Sequence, residues 1–263
     1  MKYLKGFILV TLSWVSSVWI SSIWISSVWA GGINAETVFD EARDRTIPID
    51  ISYPVDAERC SASSKCPVAF LSAGYGVSHL EYQFLSKQLN QLGYLVVAVG
   101  HELPGDPPLS VSGNLFETRS ENWMRGAQTL DFLRSTLVAR LDAYDLDDLF
   151  LVGHSNGGDI SAWLANEHTG YVRGVITLDH RRVPLPRNAG IQVLSIRAGD
   201  FPADEGVLPS SGEQKQYGSC IITIPEAKHN DIADFGPVWL KEKINAVVRS
   251  YLIGHSCSDL QSI

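Results

Sequence analysis

Leu149-Phe150-Leu151-Val152-Gly153-His154-Ser155-Asn156-Gly157-Gly158, followed by Asp159-Ile160-Ser161-Ala162-Trp163-Leu164-Ala165-Asn166-Glu167, is the stretch from which the rest of the chain is read. Its first four residues are a short apolar run of strand character. Its last nine place Ile160, Trp163 and Leu164 on one face of a helix. Between them lies G-x-S-x-G, and strand, motif and helix in that order make a nucleophile elbow. The turn is so tight that the residues two before and two after the serine must be small. Gly153 and Gly157 meet that need, because a Cβ at either would collide with the turn. The Ser155 hydroxyl is then pushed clear of the backbone at a helix N-terminus, which favours developing negative charge. The competing reading is a serine that merely caps a helix after a strand. The remaining chain must therefore supply a base, an acid and an oxyanion hole.

Upstream, residues 47–54 alternate apolar and polar side chains and read as a strand of an early antiparallel edge. Residues 67–72 and 94–99 are continuous apolar runs, the mark of strands buried on both faces. Between those two, helical periodicity over residues 79–92 ends at Gly93. A Pro- and Gly-rich loop over 101–112 leads into a helix over about 121–140. Downstream, residues 172–178 form a strand ending at Asp179, and residues 191–196 and 220–224 form two more. A final helix over about 237–252 buries Val238, Leu240, Ile244, Val247 and Val248. Strands alternating with helices predict an α/β fold with a mostly parallel sheet covered on both faces and no large cap domain. Ligands in such sheets bind at the C-terminal strand ends, where Ser155, Asp179 and Tyr75 would emerge.

The chain has 263 residues, enough for one α/β domain over residues 36–263. Residues 1–35 stand apart. Lys2 and Lys5 precede an uncharged stretch whose middle repeats Ser-Ser-Val-Trp-Ile, Ser-Ser-Ile-Trp-Ile and Ser-Ser-Val-Trp-Ala. A positive start, an apolar centre and small residues near Ala30 and Ala35 match an export signal. The apolar centre is also long enough to span a bilayer, so an uncleaved membrane anchor fits as well. The net charge of −8 argues against nucleic acid as a partner. The four cysteines, Cys60, Cys66, Cys220 and Cys257, suggest disulfides in an exported chain. Cys60 and Cys66 would close a Ser-rich loop, and Cys220 and Cys257 would tie a late strand to the C-terminal tail, although three pairings can be drawn. Neither pair has metal-ligand spacing with a nearby histidine, so no metal site and no cofactor is expected.

A serine hydroxyl needs a base to take its proton, and that base is a histidine held by a carboxylate. His229 follows the last strand, where the chain order serine, acid, histidine places it. His154 beside the serine reads as packing support, and His101 as a structural residue at a strand end. The acid falls to Asp179, at the end of the strand after the elbow helix, or to Asp200, at the end of the next. The oxyanion hole would take one backbone N–H from Asn156 and one from Tyr75, whose neighbours Gly74 and Gly76 allow close approach.

With these residues in place, the chain from Phe70 to about Phe235 resembles α/β-hydrolases of the platelet-activating-factor acetylhydrolase type, and more loosely cutinase-like esterases. The resemblance rests on several stretches. They are Ser72-Ala73-Gly74-Tyr75-Gly76, Gly93 to Val99 with His101, Gly153 to Gly158, Leu178-Asp179 with Pro184-Leu185, and His229 with Ala233-Asp234-Phe235. Ala73 departs from it, standing where the family has histidine. The spacing from the elbow to Leu178-Asp179 favours Asp179 as the acid. The resemblance implies hydrolysis of carboxylic esters, often with short acyl groups, without metal or organic cofactor. The connection over residues 181–188 is too short for a lid, so small or extended ester substrates are expected. Two other readings stand beside this one: a polyester or lipid esterase of cutinase type, and a non-catalytic, surface-anchored binding protein on a hydrolase scaffold.

Overall fold

The computed structural model describes residues 33–167 and 170–263. Eight strands form one sheet: β1 (Ile33–Asp40), β2 (Arg45–Ser52), β3 (Cys66–Ser72), β4 (Leu95–Val99), β5 (Tyr144–His154), β6 (Val172–Leu178), β7 (Gln192–Ala198) and β8 (Cys220–Ile224). Their order across the sheet is β1-β2-β4-β3-β5-β6-β7-β8. β1 and β2 are antiparallel to their neighbours, and β3 to β8 are all parallel. The predicted leader, residues 1–35, lies outside the described residues up to position 32, and β1 begins at Ile33.

Alternation along the buried strands divides the core between two faces. Val68, Phe70, Val97, Leu149 and Leu151 pack on one side with Trp123, Leu130, Leu133, Ile160 and Leu164. These last five come from α2 (Leu115–Leu137) and α3 (Asn156–Asn166). Ala69, Leu71, Val96, Phe150 and Val152 face the other side. There they meet Leu85 and Leu89 of α1 (Gln83–Gln91) and Leu240, Ile244, Val247 and Val248 of α5 (Val238–Leu252). α2 crosses close over α3 at Gly126, where an added Cβ would stand 2.6 Å from Ile160.

Several elements differ from the sequence expectation, each for a local reason. The residue 47–54 strand is antiparallel as expected, but it lies one place in from the edge, which β1 occupies. α1 starts at Gln83 rather than at residue 79, because the carboxylate of Asp234 accepts from the N–H groups of Gln83 (2.7 Å) and Phe84 (2.9 Å). A distant side chain thus sets the first turn of the helix. α2 starts six residues before the predicted position, with the Asn114 side chain accepting from Phe116 N–H as its cap. Val238, expected in the core, is 65% exposed on the first turn of α5. α4 (Ser211–Tyr217) buries no residue, so it left no hydrophobic period to read, but the Ser210–Glu213 capping box marks its start. The short C-terminal helix α6 (Cys257–Leu260) closes the chain.

The disulfides pair as expected, Cys60 with Cys66 and Cys220 with Cys257. The second joins β8 to α6 across a sequence separation of 37, against 6 for the first. By loop-closure entropy, removing Cys220–Cys257 is expected to cost about 4 kcal/mol, and removing Cys60–Cys66 about 2 kcal/mol. Urea midpoints of the paired Cys→Ser variants check this. Equal losses, or a larger loss for the short loop, would contradict it. No described helix is long and apolar enough to cross a membrane.

Candidate active site

Ser155 sits between β5 and α3 at φ 50° and ψ −119°, a strained conformation for a residue with a side chain. Two features hold it there. The Ser155 N–H donates to the Leu178 carbonyl at 2.9 Å, tying the turn to β6. The flanking glycines leave the necessary room. A Cβ on Gly153 would stand 2.2 Å from the Gly157 carbonyl oxygen, and one on Gly157 would stand 2.2 Å from that of Ser72. The glycine requirement read from the motif is therefore a backbone-to-backbone constraint.

Asp179 follows β6 and has a positive φ of 51° as well. Its backbone N–H donates to the Ile196 carbonyl at 2.8 Å, which turns the side chain inward along the strand ends. One carboxylate oxygen, Oδ2, lies 2.6 Å from Nδ1 of His229. The other, Oδ1, accepts from Ala198 N–H at 3.0 Å and from the Arg197 guanidinium at 2.8 Å. Burial alone would raise the Asp179 carboxyl. The hydrogen bond from His229 and the Arg197 charge outweigh it and hold the group below the ordinary carboxylate range.

His229 opens a single 3-10 turn after β8 and is buried. Its Nε2 lies 2.9 Å from Ser155 Oγ. Since an ionised carboxylate only accepts, Nδ1 carries the hydrogen and Nε2 presents its lone pair to the hydroxyl. Asp200, the other candidate acid, does not reach the ring. Its Oδ1 accepts from the backbone N–H of His229 at 2.9 Å and so fixes the loop instead.

His154 and His101 take the supporting places expected of them. His154 Nε2 faces the His229 carbonyl at 3.1 Å, and because a carbonyl only accepts, Nε2 must donate. His154 Nδ1 then accepts from the Tyr82 hydroxyl at 2.8 Å, and that hydroxyl oxygen accepts from Gly74 N–H at 3.0 Å. A buried chain of hydrogen bonds thus joins the Gly74–Tyr75 turn to the His229 loop. Burial pushes His154 down to about 3, in keeping with a neutral ring. His101 Nε2 is bonded to Ser72 Oγ at 2.9 Å beneath the same turn.

Tyr75, Ser155, His154, His229 and Phe235 line a cavity of about 220 Å³. Asn156 opens α3, so its N–H has no helical acceptor. The Asn156 side chain is turned away from the cavity, accepting from Trp123 Nε1 at 2.8 Å and donating to Asn122 at 2.9 Å. Among the described residues no group of three His, Cys, Asp or Glu side chains could hold a metal ion.

Sequence reading missed Arg197 and Tyr82. Arg197 was readable as a charged residue closing an apolar strand, which must find a partner if buried. Tyr82 carried no such signal, since its role depends on a turn that periodicity mistook for helix.

A family model for the alpha/beta hydrolase fold matches residues 67–219, more than half of the 263-residue chain. No curated protein matches the sequence. Among solved structures, ferulic acid esterase from Streptomyces cinnamoneus is similar, with a TM-score of 0.60 at 17% identity, covering 84% of this chain and 87% of that one. Thermogutta terrifontis esterase 2 phosphonylated by cyclosarin gives 0.59 at 12% identity, covering 86% and 96%. Dienelactone hydrolase from Anabaena variabilis gives 0.57 at 14% identity, covering 85% and 99%. At such identities the likeness is one of fold.

Proposed function

We propose, from the premise that this chain belongs to the α/β-hydrolase family, that it is a serine hydrolase cleaving carboxylic esters. The observation that carries this reading is the unbroken line from Ser155 Oγ to His229 Nε2 (2.9 Å) and from His229 Nδ1 to Asp179 (2.6 Å). In this reading Ser155 Oγ attacks the ester carbonyl carbon while His229 Nε2 takes its proton. The negative charge arriving on the carbonyl oxygen is met by the N–H groups of Tyr75 and Asn156. The tetrahedral intermediate collapses, His229 returns the proton to the leaving alkoxide, and the alcohol departs. Water then attacks the acyl-enzyme by the same steps, with His229 as base, releasing the acid and restoring Ser155. Asp179 keeps the His229 ring in the tautomer that accepts at Nε2.

No helix interrupts the connection between β6 and β7, which favours an uncovered site and short or extended esters. The reading as an esterase of polymeric or lipid esters, in the manner of cutinases, draws support from Tyr75 and Phe235 at the cavity and Phe201 beside His229, 43%, 64% and 41% exposed. Both disulfides suit an oxidising compartment, and with the N-terminal signal pattern they favour an exported protein.

A fluorophosphonate probe tests the reading, since such reagents trap an activated serine. The wild-type protein is expected to label at Ser155 and Ser155→Ala not at all. A folded wild-type protein that fails to label would mark the chain as a binding protein on this scaffold. Assaying the unlabelled wild-type enzyme on a soluble butyrate ester and on a polyester film separates the two esterase readings.

A further inference from the structure

Arg197 is an arginine in the sheet interior, 5% exposed, at the C-terminal end of β7. Its guanidinium lies 2.8 Å from Oδ1 of Asp179, a carboxylate with no exposure at all. The same group donates to the His180 carbonyl, and at 3.4 Å to the Phe201 carbonyl. It therefore joins three things: the carboxylate that holds His229, the backbone just after it, and the loop whose Phe201 ring stands edge-on to the His229 ring. Keeping a guanidinium this far from water is costly unless it is fully paired. A backbone N–H such as that of Ala198 would satisfy Oδ1 at far lower cost, so a packing role alone does not account for the charge.

We propose that Arg197 is a positioning residue for the Ser155–His229–Asp179 relay: it fixes the Asp179 carboxylate through the oxygen that His229 does not use, and its charge extends activity to lower pH. This rests on the serine-hydrolase reading above. A proton on His229 blocks the base, and Asp179 attracts that proton. The Arg197 charge, on the far side of Asp179, offsets part of the attraction, so the ring remains free to act at lower pH.

The other groups around the relay do not supply this effect. His154 packs on the His229 ring from the end of β5, with centroids 4.9 Å apart, and His180 follows Asp179; burial pushes both down to about 3, so they stay neutral. Asp200, after β7, faces the His229 backbone rather than its ring. Asp159 on α3 and Arg181 after β6 act on Arg197 through space with opposite signs.

The test compares Arg197→Gln and Arg197→Lys by kcat/KM on a soluble short-chain ester across pH, per active site counted with the fluorophosphonate probe. Arg197→Gln is expected to move the acidic limb up by about one pH unit and to lower the plateau roughly tenfold, while Arg197→Lys keeps the limb at its wild-type position. Equal, pH-independent losses in both variants would overturn the proposal. So would a Gln variant with an unmoved limb, or one that never folds beside a Lys variant that folds with the wild-type profile, since the charge would then serve folding alone. A wild-type protein that does not label would instead defeat the hydrolase reading on which the inference stands.

Discussion

Asp179→Asn is expected to lower kcat/KM for a short-chain ester by about ten-thousandfold, while Asp200→Asn changes it by less than about threefold. The difference follows from what each carboxylate touches. At Asp179, the oxygen facing Arg197 and Ala198 N–H must accept from both donors. An asparagine there keeps its carbonyl oxygen on that side and turns its NH2 toward His229. Nδ1 would then have to accept, the ring hydrogen would move to Nε2, and the base would present a hydrogen to the serine instead of a lone pair. The fold would survive and the chemistry would not. At Asp200, the one relevant contact is acceptance from the His229 backbone N–H at 2.9 Å, which an amide oxygen makes equally well. Steady-state kinetics on both variants, with folding checked by circular dichroism, decide the matter. A large loss in Asp200→Asn beside an active Asp179→Asn would overturn the assignment.

The two aspartates also show where sequence reading stopped. Each ends a parallel strand on the same side of the sheet, so spacing along the chain places both near His229. The resemblance favoured Asp179 as the acid, and the inward turn of Asp179, with its φ of 51°, and the path of the 3-10 turn at His229 put one carboxylate against the ring and the other against the backbone. By contrast, the elbow was readable because its constraint is local. Gly153 and Gly157 are dictated by contacts within a few residues of Ser155 and against the end of the adjacent β3. The buried strands were readable for a related reason, since a strand covered on both faces reads as a nearly continuous apolar run. What escaped was set by distant partners, such as the cap that Asp234 provides for α1. Exposed α4 escaped for want of an apolar face.

Stability is expected to fall by on the order of 7 kcal/mol between pH 7 and pH 4, enough to unfold the protein within that range. Three buried histidines drive it. His101, His154 and His180 are each pushed down to about 3, first by burial and then by nearby positive charge: Arg45 for His101, His229 for His154 and Arg197 for His180. In the unfolded chain each titrates near 6.5. Below that pH the unfolded state gains protons that the folded state refuses. Each ring therefore costs about 1.4 kcal/mol of stability per pH unit, down to its folded value. Asp159 works in the opposite sense. Its carboxyl, buried beneath the 181–183 backbone, is raised to about 6 by burial, so the folded state takes up its proton first as pH falls. Between about pH 6 and 4 it offsets part of the histidine term, and three rings against one carboxyl leave a net loss. Asp179 acts mainly below this window: its carboxyl is held under the ordinary range, so the stability it adds starts to be lost only as pH nears the unfolded carboxylate value of about 3.9. Urea unfolding at half-unit pH intervals should show a midpoint falling steadily from pH 6.5 downward. His101→Asn, which removes one of the three rings, should flatten that slope. A midpoint level from pH 7 to 4, or a slope untouched by His101→Asn, would mean that these rings are protonated inside the folded protein.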